Sequence, residues 1–312
     1  MHSSTSSSRD AGRGGGPRLV LYVAIGALLF IAADRLFAAA LWSQVLRSGF
    51  RYSVLYREPV NADIVVLGNS RGMSLVDWPY LERQTHLKTF NLSFNGLPPR
   101  LARTLFLDYL DRNRTPSVLL LEMTTVFGAE ALTGEMKLYA QASPRLATLI
   151  AEEYPQLGWG MKLSKLYAFN GEMAMRSLYY RNRNDHDWLV DGRVSEELLR
   201  YTEQRPVPRW EAPDARNLDE VAEIIRVARE RGIRVVPVIA PYLPAFVRKS
   251  PNFGEIVAGL DRRFGIPMLD YSLAISDTAL FADRYHLNRA GSKAFTERLV
   301  ADGVLVSNPP PK

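Results

Sequence analysis

Gly68-Asn69-Ser70-Arg71-Gly72 sets a serine between two glycines, directly after the apolar run Asp63-Ile64-Val65-Val66-Leu67. A Gly-x-Ser-x-Gly turn at the exit of a buried strand is one way to present a nucleophilic hydroxyl. A serine hydroxyl is a weak nucleophile, so it needs a base within hydrogen-bond reach, and the base needs an orienting carboxylate. The chain has four histidines, His2, His86, His186 and His286. Only His286 has a carboxylate at a useful spacing, Asp283, three residues earlier in Phe281-Ala-Asp-Arg-Tyr-His-Leu-Asn288. His86 lies in a connection without one, His186 sits in the polar run Asp185-His186-Asp187 that suits a solvated loop, and His2 belongs to the N-terminal tail. The chain has no cysteine, which excludes disulfides, thiol nucleophiles and thiolate metal sites. No metal site and no cofactor is expected. Two plainer readings stay open: a glycine-permitted strand exit at residues 68–72, and a helix-capping loop at 283–288 with Asn288 as cap.

The elements that must position these residues are legible as apolar runs of strand length at 64–67, 89–92, 118–121, 235–239 and 268–269. Several are near-continuous in Val, Ile and Leu, as in strands buried on both faces of a parallel sheet. Helical spacing fills the intervals at 97–113 and 218–231, the second opening after Asn217 as N-cap and closing at Gly232. This alternation predicts an α/β fold with a doubly wound parallel sheet. The interval from about 129 to 216 breaks it; rich in helix formers and aromatics, it reads as a helical insertion that covers the site or binds substrate. In open parallel sheets ligands bind beyond the carboxyl ends of the strands. Ser70, Asn95 and Gly96, Glu122 to Thr125, Tyr242, and Asp283 with His286 all follow strands in this way. That joint placement favours the catalytic reading over the plainer ones.

With 312 residues, 47% of them hydrophobic and 23% charged, the chain can bury a full core and is not a disordered protein. Its net charge of +6 is spread along its length without a dense basic run, so nucleic acid is not an expected partner. Residues 1–18 are Ser, Gly and Arg with little to bury and are expected to be a disordered tail. Residues 19–42 follow as a transmembrane signal-anchor: fifteen apolar residues, then Asp34-Arg35, then Leu36 to Trp42. The competing reading is a cleaved signal peptide ending near Ala38-Ala39-Ala40. Arginines on both sides leave the charge rule undecided. A short polar N-terminus in the cytoplasm with the domain exported to the periplasm is the expected arrangement.

The first block Gly68-Asn69-Ser70, the last block Asp283-Arg-Tyr-His286 and the single strand ahead of Ser70 resemble the SGNH (GDSL-like) hydrolase superfamily over residues 58–304, insertion included. The N-terminal anchor, Phe90-Asn-Leu-Ser-Phe-Asn-Gly96 and Leu280 to Phe295 are similar to its membrane-anchored branch, which includes alginate O-acetylation and teichoic-acid D-alanylation proteins. The resemblance implies an SGNH/flavodoxin-like three-layer sandwich. It further implies a serine O-acyltransferase, of acetyl groups in the first instance, acting on a cell-surface polysaccharide through Ser70, His286 and Asp283, beside a multi-pass membrane acyltransferase partner. The alternatives it leaves open are a carbohydrate or lipid esterase and a catalytically inactive polysaccharide-binding scaffold. Oxyanion donors would be the N–H groups of Ser70 and of Gly96 or Asn95. The family's third block, Gly-x-Asn-Asp, has no match, since the third strand ends in Leu121-Glu122-Met123-Thr124-Thr125. Arg71, Tyr242, Tyr180, Arg181 and Trp188 are the substrate-binding candidates; the plainer reading of the last three is a solvated helix end with its aromatics tucked into the core.

Overall fold

The computed structural model describes residues 16–128 and 130–305. The tail reading for residues 1–15 therefore lies outside the described residues. The chain enters through a long helix, α1 (Gly16–Val45), and a short one, α2 (Arg51–Arg57). The alternating part then runs β1 (Ile64–Leu67), α3 (Ser70–Met73), α4 (Trp78–Thr85), β2 (Thr89–Asn91), α5 (Pro99–Arg112) and β3 (Val118–Glu122). An interruption follows, with α6 (Pro144–Glu153), α7 (Pro155–Leu163), α8 (Glu172–Tyr179) and α9 (Glu196–Gln204), joined by 3-10 turns at 130–141 and 166–169. Alternation resumes with α10 (Ala215–Glu230), β4 (Arg234–Ile239), α11 (Pro244–Arg248), α12 (Phe253–Phe264), β5 (Leu269–Asp270) and α13 (Arg289–Ala301).

All five strands pair in parallel in the order β2-β1-β3-β4-β5. Every residue of β1 and β3 is buried, which is why those segments read as unbroken Val/Ile/Leu runs instead of alternating ones. Helices α5 and α10 pack on one another, with α12 tied to α10 through Arg263 and Asp219, and α4 packs on α13, the two layers that right-handed crossovers give this strand order. The strand order reverses between β1 and β3, so the crevice at their carboxyl ends is where this topology holds a ligand.

Three sequence-based boundaries shift. Asn217 does not cap α10; Asp214 accepts the Arg216 N–H as N-cap, while Asn217 donates to the carbonyls of Val126 and Gly128 and ties the helix to the exit of β3. The folded unit reaches back before residue 58, because Tyr52, Leu55 and Tyr56 of α2 are buried in the core. The apolar entry helix continues past residue 42 to Val45, and its most apolar 18-residue stretch has a mean hydropathy of 2.0 and is almost wholly exposed. That helix is long and apolar enough to cross a membrane.

Candidate active site

Ser70 opens α3 immediately beyond β1, and the two flanking glycines are there because of what lies beside them. A Cβ on Gly68 would stand 2.7 Å from the Glu122 Cβ, and one on Gly72 would stand 2.5 Å from the Ser93 Oγ. The turn is thus pressed between the exits of β3 and β2, and only glycine fits at both ends. Asn69 is fastened between them: its Oδ1 accepts the Arg71 N–H at 2.9 Å, and its Nδ2 donates to the Thr124 carbonyl at 3.0 Å.

The loop between the 3-10 turn at 278–280 and α13 carries the other two residues. It is closed on itself by the Ala282 N–H donating to the His286 carbonyl at 2.9 Å, and it is held from outside by the Leu243 N–H on the Arg284 carbonyl at 3.1 Å. Within it the Asp283 carboxylate accepts the backbone N–H groups of Tyr285 and His286 at 2.7 and 2.9 Å. It also faces His286 Nδ1, with its two oxygens at 3.0 and 2.8 Å. Burial acts to raise the Asp283 pKa, but the hydrogen bond from His286 and the two backbone donors outweigh it and hold the carboxyl below the ordinary carboxylate range. An ionised carboxylate only accepts, so Nδ1 carries the proton and Nε2 presents its lone pair. His286 Nε2 lies 2.8 Å from Ser70 Oγ. The geometry is that of a hydroxyl, an acceptor imidazole and an orienting carboxylate in one hydrogen-bonded line. Asn288 meanwhile caps α13, accepting the Gly291 N–H at 3.0 Å, so the capping reading of this loop and the Asp283–His286 pairing hold together.

Two cavities meet at the Ser70–His286 pair. One, about 240 Å³, is walled by Met73, Ser74, Asn95, Asp187, Trp188 and Asp283. The other, about 290 Å³, is walled by Asn69, Thr124 and the aromatics Phe127, Trp210, Tyr242 and Tyr285. A larger space of about 580 Å³ lies behind Trp188, whose ring packs 4.1 Å from that of Trp78 and separates it from the first cavity. Asn95 stands on the exposed turn after β2, where Gly96 adopts φ +64° and the Leu97 N–H donates back to Phe94. In this turn Asn95, not Gly96, lines a cavity with Ser70.

The remaining residues expected at substrate fall in different places. Arg71 is buried and its guanidinium is consumed by the protein: it pairs with Glu122, donates to the carbonyls of Ala240, Pro241 and Tyr285, and lies 3.4 Å from the centre of the Tyr242 ring. It braces the strand ends and at the same time lines the second cavity beside Ser70. Tyr242 is buried beneath that guanidinium and against Trp210 and Phe253, and burial pushes its hydroxyl up. Tyr180 is also buried, with its hydroxyl donating to Asp187 at 2.6 Å and its ring stacked on Phe50. Arg181 is exposed and lines neither cavity. Trp188 alone of the insertion candidates walls the space beside Ser70, brought there by a loop that Arg51 fastens through a 2.8 Å ion pair to Asp185. Sequence reasoning missed Phe127, Trp210 and Tyr285; aromatics scattered over three segments give no periodic signal.

Fold and site together define an α/β sandwich of flavodoxin-like strand order with a serine, histidine and aspartate in hydrogen-bonded line at its carboxyl edge. No family model matches the chain, and no curated protein matches it. Among solved structures it matches one described as that of a "putative acylhydrolase" from Bacteroides fragilis, with 12% sequence identity over 81% of this chain and 94% of that one, at a TM-score of 0.39. That is a distant likeness, and no assignment of site or substrate rests on it.

Proposed function

We propose that the protein is a membrane-anchored serine O-acyltransferase of the SGNH type, with its domain on the periplasmic side and an acyl group, acetyl in the first instance, passed to a hydroxyl of a surface polysaccharide. The observation that carries this reading is the line Ser70 Oγ to His286 Nε2 at 2.8 Å and Nδ1 to Asp283 at 2.8 Å. In the first step Ser70 Oγ bonds to the carbonyl carbon of an acyl ester or thioester and its proton passes to His286 Nε2. The tetrahedral oxyanion is held by backbone N–H groups of Ser70 and of the Asn95–Gly96 turn. Collapse breaks the bond to the leaving alcohol or thiol, which departs with the proton from Nε2. In the second step the sugar hydroxyl gives its proton to Nε2 and attacks the acyl-serine, and collapse returns that proton to Ser70 Oγ. Asp283 keeps the imidazole in the required tautomer throughout.

Two cavities flanking the same hydroxyl suit a reaction with two substrates, an acyl donor and an acceptor. At the exit of β3, where the resemblance puts a third oxyanion donor, stands the Glu122 carboxylate, an acceptor tied to Arg71, Thr124 and the Ala240 N–H. Loss of one such donor costs about 10²- to 10³-fold in rate, which suits slow transfer completed by acceptor, or by a multi-pass membrane partner that supplies the donor, better than fast hydrolysis. Water in place of the sugar makes the same site an esterase, a second reading that the partial exposure of Ser70 and Asp283 favours. Full-length protein in detergent micelles, given p-nitrophenyl acetate with and without an oligosaccharide acceptor, separates the two. Acetylated oligosaccharide formed in step with p-nitrophenolate marks the transferase, and free acetate alone marks the esterase. Equal release by wild type and Ser70→Ala would sink both.

A further inference from the structure

The insertion does more than wall the site. Its α7 and α8 segments carry large apolar side chains left open among the described residues: Trp159 is 65% exposed and Leu163 78% on α7, Met175 73% and Tyr179 60% on α8. All four belong to the part of the insertion that packs against α1, through α8 and through the 3-10 turn that follows α7. The junction is specific. The Asp34 carboxylate on α1 accepts the Lys165 and Leu166 N–H groups at 2.8 and 3.2 Å and the Ser164 hydroxyl, so Leu163 sits one residue from a direct bond to the entry helix.

The length of α1 then sets the level of this junction relative to a bilayer. Among the described residues, the large exposed apolar side chains of α1 run from Leu19 to Leu36 and Phe37. Stopping at Asp34 leaves fifteen residues, about 22 Å of helix, too short for a hydrocarbon core of about 30 Å. Including Leu36 and Phe37 gives about 28 Å, which matches. A span of that length draws the Asp34–Ser164 junction to the membrane boundary and carries the ends of α7 and α8 with it.

We propose that α7 and α8 form a membrane seat: a monotopic apolar face, continuous with the spanning helix, that sinks into the headgroup and upper acyl region of the leaflet on the domain's side. The side-chain chemistry fits that depth. Trp and Tyr favour the bilayer interface, and cations flank both, with the Lys162 ammonium 5.0 Å from the Trp159 ring and the Arg183 guanidinium 4.6 Å from the Tyr179 ring. Lys162 and Lys165 are exposed and placed to reach lipid phosphates. With α1 and the seat both engaged, the domain is held at two places and keeps a fixed face towards the bilayer. The inference rests on α1 being a membrane span and does not depend on the proposed chemistry.

The absence of cysteine makes the test direct, because one introduced thiol takes one nitroxide label. Full-length Leu163→Cys and Met175→Cys are labelled and reconstituted in phosphatidylcholine nanodiscs with a minority of phosphatidylglycerol, beside Leu28→Cys on α1 and Tyr201→Cys on α9 as references. The readout is relative accessibility to oxygen and to a water-soluble nickel complex. Labels at 163 and 175 are expected to resemble position 28, rich in oxygen and poor in nickel. Resemblance to position 201 while position 28 stays lipid-like would overturn the seat and leave the anchor standing. Exclusion of both reagents at 163 and 175 would mean that a second copy of the chain covers the face, and would overturn it too. A water-like signal at position 28 would remove the anchor and the seat together. Native Trp159 gives a check without cysteine: quenching by brominated lipid should fall in Trp159→Phe, and unchanged quenching counts against the seat.

Discussion

Replacing Arg71 by Met tests how the strand ends are held in register beneath Ser70. The side chain is 5% exposed and faces a Glu122 that is fully buried. Its other donors meet the carbonyls of Ala240, Pro241 and Tyr285, the last one residue before His286. Methionine fills most of the volume but leaves the Glu122 carboxylate buried without its cation, a change that costs about 3–5 kcal/mol when one partner of a buried pair is removed. For a domain of this size that is a fall of roughly 10 °C in melting temperature. Adding Glu122→Gln removes the stranded charge, so the double variant should lose less than the two single variants summed, with a coupling of about 2 kcal/mol. Urea unfolding of the full chain in micelles, followed by circular dichroism, measures all four proteins. A loss below about 1 kcal/mol in Arg71→Met, or strict additivity in the double variant, would refute the brace. The Arg71→Met protein should also lose turnover, because the loop that aims His286 is tied down through Tyr285.

Other consequences follow from the same geometry. Asp283→Asn, which cannot hold Nδ1 protonated in the same way, should lower turnover by about 10³- to 10⁴-fold with little change in fold, read by esterase assay and circular dichroism. Gly72→Ala drives a methyl into Ser93 and should cost roughly 1–3 kcal/mol in urea unfolding, while Gly254→Ala, where a Cβ meets open space, should not destabilise by more than about 0.5 kcal/mol. Asp185 is held below its ordinary carboxylate range, since the charge and hydrogen bonds of Arg51 outweigh the burial that acts to raise it. A depressed carboxyl contributes stability above its unfolded pKa and loses it as pH falls through the folded value. The stability gap between wild type and Asp185→Asn should therefore be full at neutral pH and close only below about pH 4; a gap that persists in strong acid counts against the pair.

Strands β1, β3 and β4 were legible because burial on both faces writes itself as an unbroken apolar run. That Ser70, Asp283 and His286 meet was legible because the chain has four histidines and one of them follows an aspartate by three residues beyond the last strand. What the sequence conceals is whatever depends on partners distant along the chain. Arg71 beside a serine reads as a ligand for substrate, and only the fold shows Glu122 and three carbonyls already surrounding it. Asn217 looks like a cap because caps are local, yet its amide is spent on the exit of β3 while Asp214 does the capping. The aromatic wall of Phe127, Trp210 and Tyr285 draws one ring from each of three segments. In the insertion, Trp188 comes from one stretch and the exposed Trp159 and Leu163 from another, facing different surroundings, and composition alone merges them.

The most direct test of the account is intact-protein mass spectrometry of the full chain after brief incubation with p-nitrophenyl acetate, alongside Ser70→Ala. The account predicts an added acetyl mass on wild type, mapped to Ser70 by fragmentation, that is absent from the variant and discharged when an oligosaccharide acceptor is added. An adduct at another residue, or equal labelling of both proteins, would contradict it.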